Sequence, residues 1–256
     1  MTILQAIFAG IVEGVTEFLP ISSTGHLILL DFLLKIPSTE FVKSFNIAIQ
    51  LGAILAVVIL YAKRLWLSRS LLAKVVVAFV PTAILGLAFY KIIKTYLMGS
   101  PLVVVSALVL GGLVLLAVEY WFKGRKVGEE KTLEIMTYRE AIIIGLAQAV
   151  AMIPGVSRSA ATIVGGLLVG FSRTAIVEFS FMLAIPTMLA ATGLDLLKSG
   201  TTFTGSEWLS LLIGFVTSFI VALLAIKWLL RYIQSHNFNL FAVYRIVIAL
   251  TILSLL

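Results

Sequence analysis

Apolar residues in this chain come in long continuous runs, not in alternation. Six runs, near residues 45–62, 71–90, 101–122, 175–197, 208–230 and 240–256, hold at most two charges each. Each is about long enough to cross a ~30 Å hydrocarbon core as a helix. The short alternating segments of a β-barrel do not appear in this pattern. Two further runs, 3–34 and 141–170, are interrupted at their centres. One break reads Leu19-Pro20-Ile21-Ser22-Ser23-Thr24-Gly25 and the other Ile153-Pro154-Gly155-Val156-Ser157-Arg158-Ser159. Proline removes a backbone donor and clashes inside a helix, whereas Gly, Ser and Thr favour turns and N-caps. Each interrupted run therefore predicts helix, loop and helix, with the loop at membrane depth.

The two breaks are copies of each other. A shift of 135 residues lays Ala6-Ile7 on Ala141-Ile142, Gly10 on Gly145, Glu13 on Gln148 and Ser22 on Ser157. Three unbroken runs follow each break. The pattern predicts an all-α polytopic membrane protein, a single integral membrane domain over 1–256 built of two repeats, about 1–125 and 136–256. Each repeat is a re-entrant helix–loop–helix plus three transmembrane helices.

Charge decides how the repeats relate. If both broken segments return to the side they enter, each half crosses three times and the two repeats are inverted. Thirteen of the nineteen Lys and Arg residues then fall on one side, in segments 63–74, 123–139 (with Lys123, Arg125 and Lys126), 171–178 and 227–245. Five, Lys35, Lys43, Lys91, Lys94 and Lys198, fall on the other, and Arg158 is left inside the membrane. If both segments span, the split is ten against eight. The positive-inside rule favours the first arrangement, which puts both termini outside. On that topology a cysteine at Ser199 is expected to face outside and one at Ser68 the cytoplasm.

Composition narrows the function classes. The chain is 61% hydrophobic and 12% charged, with a mean hydropathy of +1.15. Soluble domains carry about 25% charged residues, so a soluble enzyme and a disordered chain are excluded. Zero cysteines exclude a disulfide scaffold, a zinc–thiolate site and a thiol nucleophile. The net charge of +7 is accounted for by cationic loops, so no nucleic-acid partner is expected.

The chemistry-bearing residues cluster at the breaks. Glu13 and Glu17 are four apart and share one helix face. Two carboxylates in a membrane persist when they share a proton, bind a metal or face a cation. Ser22, Ser23 and Thr24 suit the start of a second half-helix, and His26 follows within a turn. The other break offers Ser157, Arg158, Ser159 and Thr162. Arg158 has the planar fork that suits a phosphate or a carboxylate. Half-helices starting near 22 and 157 aim positive dipole ends at the midplane, where an anion is stabilised. Such groups suit a phosphate with a divalent cation or a proton acceptor. Gly10 with Gly14, and Gly166 with Gly170, have the spacing that lets helices pack closely. Glu119 and Arg245 lie near the ends of their runs and are expected to snorkel to the interface.

The motifs Glu13-Gly14-Val15-Thr16-Glu17-Phe18-Leu19-Pro20-Ile21-Ser22-Ser23-Thr24-Gly25-His26 and Pro154-Gly155-Val156-Ser157-Arg158-Ser159-Ala160-Ala161-Thr162 resemble the two signatures of the bacterial undecaprenyl-diphosphate phosphatase family, also called the bacitracin-resistance family. The resemblance covers the whole chain. It implies hydrolysis of the lipid substrate undecaprenyl diphosphate to the monophosphate, recycling the carrier for wall polymers. The location implied is the bacterial inner (plasma) membrane, among membrane lipids, with an outward-facing site. A homodimer is left open. On this reading Arg158, with Ser22, Thr24, Ser157, Ser159 and Thr162, holds the diphosphate. Glu13 and Glu17 hold Mg2+ or Ca2+, or act as base. Ser23 is the leading nucleophile, with His26 or Glu17 taking its proton, and a metal-activated water is the competing attacker. Inverted repeats with broken helices are also the layout of secondary transporters, so a lipid flippase or transporter is the alternative.

Overall fold

The computed structural model describes residues 1–37, 39–97, 100–122, 130–198 and 204–255. Lys123, Arg125 and Lys126 of the cation count, the repeat boundary at 125, Ser199 and the last residue lie outside the described residues. The described chain forms ten α-helices: α1 (Ile3–Thr16), α2 (Ser23–Leu33), α3 (Glu40–Leu67), α4 (Arg69–Ile92), α5 (Pro101–Phe122), α6 (Tyr138–Ala149), α7 (Arg158–Val169), α8 (Arg173–Lys198), α9 (Gly205–Tyr232) and α10 (Asn239–Leu255). Among the described residues the only extended pairing is an isolated bridge between Lys131 and Phe171.

Both interrupted runs break where proline and the small polar residues lie. α1 stops at Thr16, ahead of Pro20, and α6 stops at Ala149, ahead of Pro154. The two runs begin alike as well. Thr2 caps α1 in a capping box with Gln5, and Thr137, 135 positions on, caps α6 in a box with Glu140. α3, α4, α5, α8 and α9 are long and apolar enough to cross a membrane, so this is a multi-pass membrane protein. The sixth expected crossing, α10, has 17 residues and is shorter than those five.

Packing runs between the halves of the chain more than within them. α9 lies against α1 and α3, α4 against α6 and α8, and α10 against α5. Close backbone approach makes this work at equivalent points. A Cβ on Gly10 of α1 would lie 2.7 Å from the Gly214 carbonyl oxygen of α9, and one on Gly145 of α6 would collide with the Ala78 carbonyl of α4. Gly170 does not serve this purpose; it ends α7 in the left-handed region, with φ of 103°.

Two expectations need correction. Glu119 and Arg245 do not snorkel. Glu119 is buried and takes a bidentate bond from Arg173 and the backbone N–H of Phe238. Arg245 is fully buried in α10, and Arg158 is therefore not the sole cation inside the bundle. The guanidinium of Arg245 donates to the carbonyls of Pro20, Ala107, Leu108 and Gly155 at 3.1–3.3 Å. Pro20 and Gly155 lie in the breaks, where a carbonyl has no helical partner, and together with the two α5 carbonyls they give the buried cation acceptors in place of the water that snorkelling would seek.

Candidate active site

The two breaks meet inside the bundle. After α1 the chain passes through Ser22, a residue with φ of 69°, into α2; after α6 it passes through Ser157, with φ of 73°, into α7. A non-glycine residue in this region is strained and persists where its surroundings over-determine it. Ser157 serves as a cap, its Oγ accepting from the Ala160 N–H at 3.2 Å. Ser22 makes no side-chain cap; its carbonyl instead lies 2.8 Å from His26 Nδ1.

Glu17 joins the breaks. Its Oε2 accepts from Ser23 Oγ at 2.7 Å, and its Oε1 accepts from Arg158 Nη2 at 3.2 Å. Arg158 Nη1 donates to the Ser180 carbonyl at 2.8 Å, and the guanidinium lies 5.4 Å from the Phe18 ring centre. A buried cation and carboxylate hold each other here, and removing either leaves the other uncompensated.

A cavity of about 660 Å³ opens over this pair, walled by Glu17, Ser22, Ser23, Thr24, Ser157 and Arg158. Gln50, Thr82, Gln148 and Thr187 complete its polar part, and it runs on to Tyr90 and Ile93 at the end of α4 and to Ala190 and Ala191 of α8. Ser23 and Arg158 are the first residues of α2 and α7 and both line the cavity, so both helices start at it with first-turn N–H groups, of which that of Ala160 is capped.

Four of the expected site residues stand behind the cavity wall. Ser159 Oγ donates to the Phe18 carbonyl at 2.8 Å and ties α7 to the first break. Thr162 Oγ1 lies 2.6 Å from Ser180 Oγ, behind Arg158. His26 has both ring nitrogens engaged, with Nδ1 on the Ser22 carbonyl and Nε2 2.9 Å from the Tyr244 hydroxyl, so the acceptor at Ser23 Oγ is Glu17. Glu13 is fully buried one turn before Glu17.

Among the described residues, four buried side-chain polar atoms have no hydrogen-bond partner: Glu13 Oε1 and Oε2, Gln148 Oε1 and Arg158 Nε. All belong to the broken segments. The two free oxygens of Glu13 beside the Glu17 carboxylate are donors of the type a hard divalent cation takes. No group of three or more His, Cys, Asp and Glu is gathered among the described residues. Two carboxylates are a partial ligand set, and an ion such as Mg2+ held by them would complete its shell with water and phosphate oxygens.

Ser180 and Tyr244 escape a reading of the sequence because each sits inside an otherwise apolar run. A lone hydroxyl there is the available signal. Thr82 and Thr187 escape it for the same reason.

Comparison with known proteins finds relatives over nearly the whole chain. A family model described as Bacitracin resistance protein BacA matches residues 6–251. A relative named Undecaprenyl-diphosphatase from Aquifex aeolicus (strain VF5) is 52% identical over 251 residues, covering 98% of this chain and 97% of the relative. Relatives of the same name from Sulfurihydrogenibium sp. (strain YO3AOP1) and Thermus thermophilus are 51% and 46% identical. The first covers 98% of both chains, and the second covers 96% of this chain and 94% of its own.

Proposed function

The chain belongs to the bacitracin resistance protein BacA family, and from that premise we propose that it is an undecaprenyl-diphosphatase of the bacterial inner membrane. It hydrolyses undecaprenyl diphosphate to undecaprenyl phosphate and inorganic phosphate. This recycles the lipid carrier for peptidoglycan and other wall polymers, and supports resistance to bacitracin. The observation that carries the reading is the junction of Ser23, Glu17 and Arg158 on one cavity wall.

The chemistry follows from that junction. Arg158 and the N-termini of α2 and α7 hold the diphosphate, with Ser22, Thr24 and Ser157 beside it. Ser23 Oγ attacks the terminal phosphorus, its proton passes to Glu17 Oε2, and the bridging P–O bond breaks to release undecaprenyl phosphate. Water then attacks the phosphoserine, Glu17 returns its proton to Ser23 Oγ, and inorganic phosphate departs carrying an O–H. Negative charge spreads over the phosphoryl oxygens on the way, so positioning and positive potential lower the barrier. Glu13 and Glu17 would hold a divalent cation, Mg2+ or Ca2+, which when bound neutralises charge on the diphosphate. Ser159 and Thr162 keep Arg158 and the first break in register, and His26 holds the Ser22 carbonyl. Trapping labelled phosphoserine by rapid quench is the expected result; a persistent blank would give the attack to water, with Glu17 as its base.

Phosphate release by the purified protein in detergent, where no gradient exists, tests the activity itself. The packing of each half on the other, with both breaks inside, also suits a flippase or secondary transporter. Lipid transport in vesicles without phosphate release in detergent would favour that second reading.

Arg158→Lys sharpens the assignment. Lysine keeps the charge and loses the fork. A charge-assisted hydrogen bond contributes about 1.5–3 kcal/mol, so kcat is expected to fall roughly ten- to a hundredfold. An unchanged kcat with a raised KM would mark uniform binding and remove Arg158 from transition-state stabilisation.

The topology proposed with this function is two inverted repeats with both breaks re-entrant. Matched capping boxes, matched left-handed serines and reciprocal packing support it. The cavity reaches the end of α4 that carries Lys91, on the cation-poor side, which supports an outward-facing site. An impermeant thiol reagent on intact cells is expected to label Ser206→Cys and to spare Ser68→Cys; the reverse pattern would invert the topology. Whether two copies pair in the membrane is a separate proposal, tested by crosslinking.

A further inference from the structure

The partnerless acceptor on Gln148 has a specific consequence. This residue is 1% exposed, lines the cavity, and takes the position in α6 that Glu13 takes in α1. Its Nε2 donates to Thr82 Oγ1 at 2.9 Å and to Thr187 Oγ1 at 3.0 Å. Each hydroxyl has a single proton, and both protons are already given away. Thr82 Oγ1 donates to the Gly145 carbonyl at 3.0 Å and Thr187 Oγ1 to the Leu183 carbonyl at 2.8 Å. The threonines can therefore only accept from the amide, and this settles which end is nitrogen and which is oxygen. Among the described residues the carbonyl end has no donor.

An amide carbonyl can only accept, so its partner must bring a proton. Arg158 lines the same cavity, and among the described residues its buried Nε is a donor without an acceptor. An unpaired donor and an unpaired acceptor are satisfied together by a ligand that presents one ionised oxygen and one hydroxyl. Inorganic phosphate at neutral pH is such a group, since every ion of it carries at least one O–H. Sulfate has the same shape and no proton. We propose that Gln148 is a specificity-determining residue: its Oε1 accepts a hydrogen bond from the protonated oxygen of a phosphate group in the cavity, while Arg158 Nε donates to an ionised one. This rests on the phosphatase reading, in which the released phosphate leaves with an O–H. It also explains why an amide serves here where a carboxylate stands in the first half. A carboxylate would repel every ionised phosphoryl oxygen, whereas a neutral acceptor rejects only those without a proton.

The test is anion binding by calorimetry to the purified full-length protein, with inorganic phosphate and sulfate as separate probes and no turnover required. Gln148→Met keeps the volume and removes the acceptor. It is expected to weaken phosphate about three- to tenfold, the value of one neutral hydrogen bond, and to leave sulfate within about twofold. Gln148→Glu keeps an acceptor and adds charge. It is expected to weaken both anions and to widen the preference for phosphate over sulfate, and this variant carries the test if Gln148→Met does not fold. Equal losses for the two anions, or no loss for either, would overturn the proposal. A fall in kcat with an unchanged phosphate-to-sulfate ratio would overturn it too, by giving the acceptor to water. Wild-type protein that binds phosphate with this preference yet releases none from undecaprenyl diphosphate would defeat the phosphatase reading and leave the anion preference standing.

Discussion

Glu17→Gln is expected to lower kcat for phosphate release by about 10²–10⁴-fold, the range for losing a general base. The amide keeps the volume of the side chain and one acceptor for Ser23 or Arg158, but it cannot hold the Ser23 proton. Glu17→Ala is a blunter probe. It leaves the Arg158 guanidinium, now paired at 3.2 Å, without its carboxylate. Breaking a buried pair from one side costs about 3–5 kcal/mol, so this variant is expected to lose stability along with turnover. Measuring kcat at rising Mg2+ separates the two roles given to Glu17. Recovery at high metal would make it chiefly a cation ligand, and no recovery would make it the base. Near wild-type release by Glu17→Gln would take the residue out of the mechanism.

Arg245→Met is expected to be the most damaging change outside the cavity wall. The guanidinium holds one carbonyl in each break, Pro20 and Gly155, and two in α5. Hydrogen bonds from a charged donor contribute about 1.5–3 kcal/mol each. Inserting the charge costs roughly 2.5–3.5 kcal/mol, so four such bonds outweigh it and the variant is expected to be several kcal/mol less stable. The breaks also lose the tie that fixes Glu17 relative to Arg158, so turnover per folded molecule should fall as well. Thermal unfolding in detergent and specific activity of the folded fraction check the two effects. A variant as stable and as active as the wild type would show that α5 and α10 hold the breaks without the arginine.

The apolar runs and the prolines are enough to place the helices and both breaks, and the motifs set Glu17 and Ser23 at one break and Arg158 at the other. Each of those signals is local: an apolar run, a proline, a motif within one turn. Arg245 is misjudged from sequence because its meaning lies in a contact with Pro20, 225 positions away. Its place near the end of a run says nothing about which neighbours that end will meet. Ser180, Tyr244 and Thr187 are missed for a related reason. A hydroxyl in an apolar helix reveals depth, but the direction it faces is set by helix packing. His26 is expected near Ser23 Oγ because the two are three residues apart; the helix turns its ring instead toward the Ser22 carbonyl and Tyr244.

The first residue of α2 is Ser23 and the first residue of α7 is Arg158, and the 135-residue shift lays one on the other. Glu17 likewise falls on Met152 and His26 on Ala161. A cleft whose halves matched would offer a ligand two poses of equal energy, related by a half-turn. Here one wall carries the Ser23 hydroxyl and the Glu17 carboxylate, and the other the Arg158 guanidinium. The divergence abolishes that degeneracy: an elongated ligand with a charged end and a hydrocarbon end has a single productive way in.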